Sequence, residues 1–386
     1  MTLTKENHGT IVVGGGIMGI CAAYWLAQRG KPVTVLESGD IPNIKSASGD
    51  HLRVFRLAYG DDAFYTDMAV KTLPLWLELN ALTGDKILQQ NGVMELAATT
   101  HGYEEKSFKT LKELKLPVKR LEKNELARAY PMLNTRAIKY GIFHQDGGMI
   151  WANKAVAALA GLAQRRGAKV RPQTKITAVL RDKKEGIKGL RDASGKTWLA
   201  DNYLFAAGPG NLELLKAYKL PIKLTRQYQM YVRPPANRGR YRPEHFPVFT
   251  VRDTGFYGFP LHIHGFLKLA DHKKGPTAKP GDALSGPDTN AAFERKTRAF
   301  LKRYIPELQH FTEFEAAVCH YDNTKDDDFI VDRLPDAANG FVAAGFSGHG
   351  LKFGPLIGKT LAELIAGAKP ELNLHRFRLS RFKGRG

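Results

Sequence analysis

The first ordered pattern in the chain is Thr10–Val13, T-I-V-V, β-branched throughout, as expected of a short buried strand. Gly14-Gly15-Gly16-Ile17-Met18-Gly19 follows and fits G-x-G-x-x-G. Ile17–Gln28 reads as a helix in which Ala22, Ala23 and Ala27 allow close packing, and Arg29-Gly30 stops it. Pro32–Leu36 reads as a second strand, closed by Glu37. Further on, Asn153–Arg166 reads as a helix leading through Gly167 into a strand. Ile176–Leu180, Gly186–Arg191 and Lys196–Leu199 read as meandering strands, and Asn202–Ala206 as a buried one ending at Ala207-Gly208-Pro209-Gly210. Gly340–Ala344 is again a strand, before a second Gly-rich turn, Gly345–Gly350, and a last helix over Gly354–Ala366.

Gly9–Gln28 carries no charge, and a membrane helix or signal peptide is the tempting reading. The three glycines in its middle break a spanning helix and suit a tight turn, so a cytoplasmic protein without a membrane span is expected. In strand–turn–helix–strand–Glu context the motif specifies a dinucleotide. Gly14 permits the turn, Gly16 lets the backbone approach a pyrophosphate, and Gly19 lets helix and strand pack. The helix N-terminus offers N–H groups to phosphates, and Glu37, 23 residues after Gly14, is placed for a ribose diol.

The nucleotide-binding unit is thus assembled from separated segments, 1–91, 150–223 and 319–386. That arrangement suits a long FAD lying across a sheet, where NAD enzymes usually use a contiguous domain. Residues 92–149 and 224–318, read as alternating strands, aromatics and polar loops, form the substrate domain, and Lys273–Asp288 is expected to be a mobile surface loop. The fold class is α/β, a Rossmann-like unit beside a mixed-sheet α+β domain. At 386 residues, two or three domains of about 150 residues are expected.

Composition adds little. Two cysteines, Cys21 and Cys319, suit a reducing compartment and exclude a disulfide framework. The net charge of +20 favours anionic partners without choosing among a substrate, a cofactor, a membrane surface or nucleic acid. The tail His375–Lys383 interleaves Phe and Arg, and is read as tucking Phe377 and Phe382 against the body with its charges facing water.

Five stretches together carry a family resemblance: I-V-V-G-G-G-I-M-G, S-G-D-H-L-R-V-F-R-L-A-Y-G, Y-G-F-P…L-K-L-A-D-H, A-V-C-H-Y and A-A-G-F-S-G-H-G-L-K-F. Over nearly its whole length the chain resembles the monomeric sarcosine oxidase and N-methyltryptophan oxidase group, flavin amine oxidases of D-amino-acid-oxidase-like fold. The resemblance implies an FAD-dependent oxidase of an amino acid's amine, acting on a CH–NH group, forming an imine that hydrolyses, and reducing O2 to hydrogen peroxide. It implies a small-molecule substrate, no nucleic acid, no obligate protein partner, no metal site and a monomer. Gly14, Gly16, Ile17, Met18, Gly19, Glu37, Ser48, Arg56, Ile176, Ala207, Gly208, Gly348 and Gly350 are implied to hold FAD.

Cys319, by itself most simply a buried structural thiol, matches the family cysteine that carries FAD through a thioether. Lys268, in the apolar strand F-L-K-L-A, must be paired or working, and the resemblance puts it near flavin N5 as the oxygen-activating cation. Lys352 and Arg53 are implied to hold the substrate carboxylate, with Lys352 also beside the flavin. Tyr257, Tyr321 and His272 match pocket walls. Asp50-His51-Leu52, between Gly49 and Arg53, is one residue longer than the sarcosine-oxidase pattern, which alters the pocket roof. Related alternatives are a fructosyl-amino-acid oxidase, suggested by F-Y-T-D at Phe64–Asp67, a dehydrogenase using another acceptor, and a transfer-RNA-modifying flavoprotein.

Overall fold

The computed structural model describes residues 9–182, 186–234, 238–279, 282 and 291–382. Thr10–Val13 lies near the middle of a six-stranded sheet, parallel to both Val33–Leu36 and Asn202–Phe205. Lys169–Arg171 extends the sheet beyond Val33–Leu36, and Gly340–Ala344 extends it on the other side, before antiparallel Ile330–Arg333 closes the edge. All four residues of each inner strand from Thr10 and Val33 are buried, which is why they read as continuous, largely β-branched runs rather than alternating ones.

The first helix, Ile17–Gln28, packs against the last, Gly354–Ile365. A Cβ on Gly358 would stand 2.4 Å from Cys21 Cβ, so the two helices meet where neither has a large side chain. Cys21 is fully buried in this contact, and burial pushes its thiol far up, as for an inert core residue. At the start of the same helix, Gly14 has φ +108°, a conformation L side chains rarely adopt, and a Cβ there would stand 2.4 Å from Ala206 O.

The second unit is an eight-stranded sheet in the order Phe314–Asn323, Lys223–Val232, Leu267–Asp271, Phe256–Gly258, Val248–Val251, Val93–Ala97, Tyr140–His144, Lys119–Glu122. One face packs on the helix Ala291–Tyr304, whose Phe293, Thr297, Phe300, Leu301 and Tyr304 recur at helical spacing. The other face looks towards the first unit. A small sheet, Leu52–Phe55 with Gly148–Trp151 and Leu88–Gln89, lies between them in sequence and carries Arg53.

Three expectations need correction. Residues 92–149 and 224–318 are not only strands and loops, because Tyr103–Glu113, Lys123–Ala129 and Ala291–Tyr304 are helices. Of the expected mobile loop, residues 280, 281 and 283–288 lie outside the described residues, whereas its first part is tied down: Ala278 N donates to Leu224 O at 2.9 Å and Arg226 N to Pro276 O at 2.8 Å. In the tail, Phe377 is fully buried as expected. Its arginines, however, are paired rather than free in water: Arg376 with Asp62 and Asp328, Arg378 with Asp332, and Arg381 with Asp326. Lys383 lies outside the described residues. No helix among the described residues is long and apolar enough to cross a membrane.

Candidate active site

The Gly-rich turn is built as its residues require. A Cβ on Gly19 would stand 2.0 Å from Gly14 O, so the helix can rise from the turn only without a side chain there. Glu37, buried at the end of its strand, accepts Gly15 N at 2.7 Å on one oxygen and Gly39 N and Asn43 Nδ2, both at 2.9 Å, on the other. Ser48 Oγ accepts Ile17 N at 3.0 Å, and Gly16 lies beside it. The next amides of the helix, those of Met18 and Gly19, have no intrahelical partner by geometry and suit an anionic group. Gly208, φ +54°, turns the chain after Asn202–Phe205, with Ala207 just before it. Thr174 N donates to Glu37 O at 2.7 Å, which brings the strand start at Ile176 close to the same turn. These residues fit a dinucleotide: a close backbone turn, a helix N-terminus and a carboxylate lie together.

A second constellation lies at the junction with the eight-stranded sheet. Lys268 is 0% exposed on Leu267–Asp271. Its Nζ donates to the Asp50 carboxylate and, at 3.0 Å, to Leu52 O. Asp50 also accepts Arg53 Nη1, Tyr231 Oη at 2.5 Å and His51 N at 2.6 Å. Burial pushes the Asp50 carboxyl up, but Lys268 and then Arg53 more than reverse this and hold it well below the usual carboxylate range. Burial pulls Lys268 down to about 8, against the pull of Asp50. Two cations share one carboxylate, so the cluster keeps one positive charge.

Arg53 is less free than its assigned carboxylate grip requires. Besides Asp50, its guanidinium donates to Leu52 O at 3.1 Å, Ala47 O at 3.0 Å and Gly49 O at 3.4 Å. Cys319, buried on Phe314–Asn323 opposite Gln227, stands in the field of this cluster. Burial raises its thiol, while Arg53 and Lys268 draw it back.

The remaining predicted residues line one cleft. One cavity, ≈ 80 Å³, is bounded by Arg53, Arg56, Tyr257, His272, Gly348 and Lys352 among others, and a second, ≈ 440 Å³, shares Arg56 and His272 with it and includes Tyr321. Lys352 is buried in the short turn Leu351–Phe353, not on a surface cap. Its Nζ donates to His349 O at 2.7 Å and Tyr59 Oη at 2.9 Å, and burial, then Arg56, holds it well below the usual lysine range. Arg56 donates to Tyr103 Oη at 2.7 Å and to Ala58 O, and stacks 4.1 Å from the centre of the Tyr59 ring.

Tyr321 packs on Gly348, which has φ +75° and where a Cβ would stand 2.1 Å from the ring. His272 Nδ1 and Tyr321 Oη are 3.3 Å apart, and burial followed by Arg252 brings His272 down to about 3, so its ring is neutral. Gly350 precedes the turn that carries Lys352. Asp322 fixes this second Gly-rich loop, accepting Gly345 N at 2.8 Å and Phe346 N at 3.2 Å.

Sequence reasoning did not single out Asp50, Asp322, Glu95, Tyr59, Tyr103 or Arg252. Glu95 had a readable signal, a charge inside the apolar strand V-M-E-L-A, of the same kind that marked Lys268.

Fold and site together define a dinucleotide-dependent oxidoreductase with a cationic, aromatic-walled pocket. The chain belongs to the FAD dependent oxidoreductase (DAO) family, whose model matches residues 10–364. Among similar proteins, the monomeric sarcosine oxidase of Bacillus sp. (strain B-0618) is 30% identical over 381 residues, 98% of this chain and 97% of that one. The N-methyl-L-tryptophan oxidase of Yersinia pestis (strain Pestoides F) is 28% identical over 98% of this chain and 100% of its own. In fold, the chain is similar to L-proline dehydrogenase from P. horikoshii, with TM-score 0.84, 22% identity and 98% of each chain covered. It is also similar to a fructosamine oxidase from Aspergillus fumigatus, with TM-score 0.81, 22% identity and 98% and 90% coverage. The cofactor is therefore FAD, and the resemblance read from the five stretches holds over the whole chain.

Proposed function

We propose that the protein is an oxidase of the amine of an amino acid, a secondary amine in particular, with FAD joined to Cys319 through a thioether. When bound, FAD takes up hydride equivalents from the carbon beside nitrogen and returns the electrons to O2, giving hydrogen peroxide. The observation that carries the reading is the concentration of Arg53, Arg56 and Lys352 on one small pocket walled by Tyr257 and neutral His272. Such a pocket attracts a carboxylate. The same cations disfavour a protonated amine beside it, so the bound substrate is driven towards the free base whose lone pair assists C–H cleavage.

Lys352 holds the acid, Arg53 adds its positive charge from its place against Asp50, and Tyr257 and Tyr321 flank the amine. Asp50 fixes Arg53 and Lys268, and the positive charge left on that cluster favours the anion formed as oxygen is reduced. Glu37 and the first Gly-rich turn hold the adenosine ribose and pyrophosphate. The sarcosine and N-methyltryptophan oxidases among the similar proteins support the substrate class. Peroxide release measured with N-methyl amino acids, cyclic imino acids and fructosyl amino acids tests it. Turnover of N-methyl or N-alkyl amino acids is expected, and silence with all of these amines overturns it.

A further inference from the structure

Val93–Ala97 alternates across the eight-stranded sheet. Met94 and Leu96 point into the apolar core beside Ala291–Tyr304, and Glu95 takes the opposite face, towards the pocket. Glu95 pairs in register with Thr250 on one side and Ile142 on the other. It is 1% exposed, and its Oε2 has no hydrogen-bond partner. Ser107, whose Oγ accepts Gly60 N at 3.0 Å, stands within hydrogen-bonding reach of the carboxyl. A buried carboxyl oxygen without a partner is costly, more so if charged, and is retained where something else completes it. Burial pushes the Glu95 carboxyl up to about 7, against Arg56 and Arg252 and with Glu104 adding to the rise.

We propose that Glu95 is a specificity-determining residue that accepts a hydrogen bond from a neutral hydroxyl carried by the substrate away from its carboxylate. The proposal deepens the amine-oxidase reading and rests on it for the identity of the substrate's other groups. Arg53 and Lys352 account for a carboxylate in the same pocket, and Val54 and Tyr257 for apolar contact, so Glu95, the carboxyl in that lining, is left over. The donor is neutral because Arg56 and Arg252 act on the same carboxyl and repel a cationic substituent. A site built around a hydroxyl discriminates against the analogue lacking it far more than an apolar pocket does against an extra methylene.

The test uses the FAD-loaded enzyme and pairs differing by one hydroxyl. Dissociation constants of pentanoate and 5-hydroxypentanoate, read from the flavin absorbance shift, need no turnover. Two further arms, compared by kcat/KM, locate the donor: N-methylalanine against N-methylserine for the side chain, and N-ethylglycine against N-(2-hydroxyethyl)glycine for the nitrogen substituent. Wild type should favour the hydroxylated acid, and the hydroxylated amine in one arm, by about tenfold or more. Glu95→Leu should abolish the preference and Glu95→Gln should keep part of it. Equal binding of the two acids by wild type, or a preference unchanged in Glu95→Leu, overturns the proposal. Should the Leu variant not fold, the wild-type preference and its reduction in Glu95→Gln decide. A hydroxyl preference among the acids with no oxidation of any amine leaves Glu95 assigned and removes the amine-oxidase reading. Amine oxidation with no hydroxyl preference does the reverse.

Discussion

Asp50→Asn removes the single carboxylate that Lys268 and Arg53 share while keeping its shape. The side chains of Asp50 and Lys268 are both 0% exposed, and that of Arg53 is 17% exposed. In the variant one carboxylate oxygen becomes an NH2 donor, so either Lys268 and Arg53, which share one oxygen, or Tyr231 and His51 N, which share the other, lose their acceptor, and the negative charge is gone in both cases. Removing one partner of a buried pair costs about 3–5 kcal/mol, because the remaining charge is left without compensation in a poorly solvated place. The variant limits that cost by releasing the Lys268 proton, since it loses the largest influence raising that group.

Urea denaturation of the holoenzyme near pH 7 should therefore show a loss of about 3–5 kcal/mol. Asp67→Asn, which breaks the exposed pair with Lys71, serves as control and should cost less than about 1 kcal/mol. The pH dependence identifies the group. The folded-state pKa of Asp50 is depressed, so its contribution is complete above the ordinary value of 3.8 and is lost as pH falls through the folded value. The gap between wild type and Asp50→Asn should accordingly narrow on acidification below that point. A loss under about 1 kcal/mol at pH 7, matching the exposed control, refutes the buried-triad reasoning.

Three other outcomes are expected. Wild type should keep its flavin through acid precipitation, and Cys319→Ala should release it to the supernatant; complete release from wild type disproves the thioether. Lys268→Met should slow flavin reoxidation by O2 by about two to three decades, from the loss of a fixed charge worth about 3–4 kcal/mol, and slow anaerobic reduction much less. Stopped-flow measurement of both half-reactions separates this from a packing role, in which both slow together. Lys352→Met should raise KM for the amino acid strongly and leave the weak turnover of its methyl ester little changed, whereas equal wild-type turnover of acid and ester removes the carboxylate assignment.

The parts legible in the sequence are those whose cause is local. Thr10–Val13, Ile17–Gln28 and Gly340–Ala344 have the bounds expected of them, because buried parallel strands and a glycine-started helix leave continuous signatures. Lys268 was visible as a charge in an apolar strand. Its partner was not, because Asp50 lies 218 residues away, and the extra residue in Asp50-His51-Leu52 points to the pocket roof rather than to a lysine. The same holds for Arg376 with Asp62, 314 residues apart, which turned an apparently solvated tail into a paired one. The helix Ala63–Thr83 was hidden by Pro74 in its interior and by having no sharp apolar stripe. Ala291–Tyr304 did carry a helical period, obscured by reading its region as strands between aromatics. Glu95 follows the same rule as Lys268, a charge within an apolar strand, but lies outside the five stretches that carry the resemblance.

The most direct test of the amine-oxidase account is a single turnover. The holoenzyme is mixed anaerobically with a panel of N-methyl amino acids, and the flavin absorbance is followed; air-saturated buffer is then added and peroxide is counted. The account predicts bleaching by at least one of these amines, with recovery of the oxidised spectrum and one peroxide per flavin. No bleaching by any of them, or bleaching that oxygen fails to reverse, contradicts it.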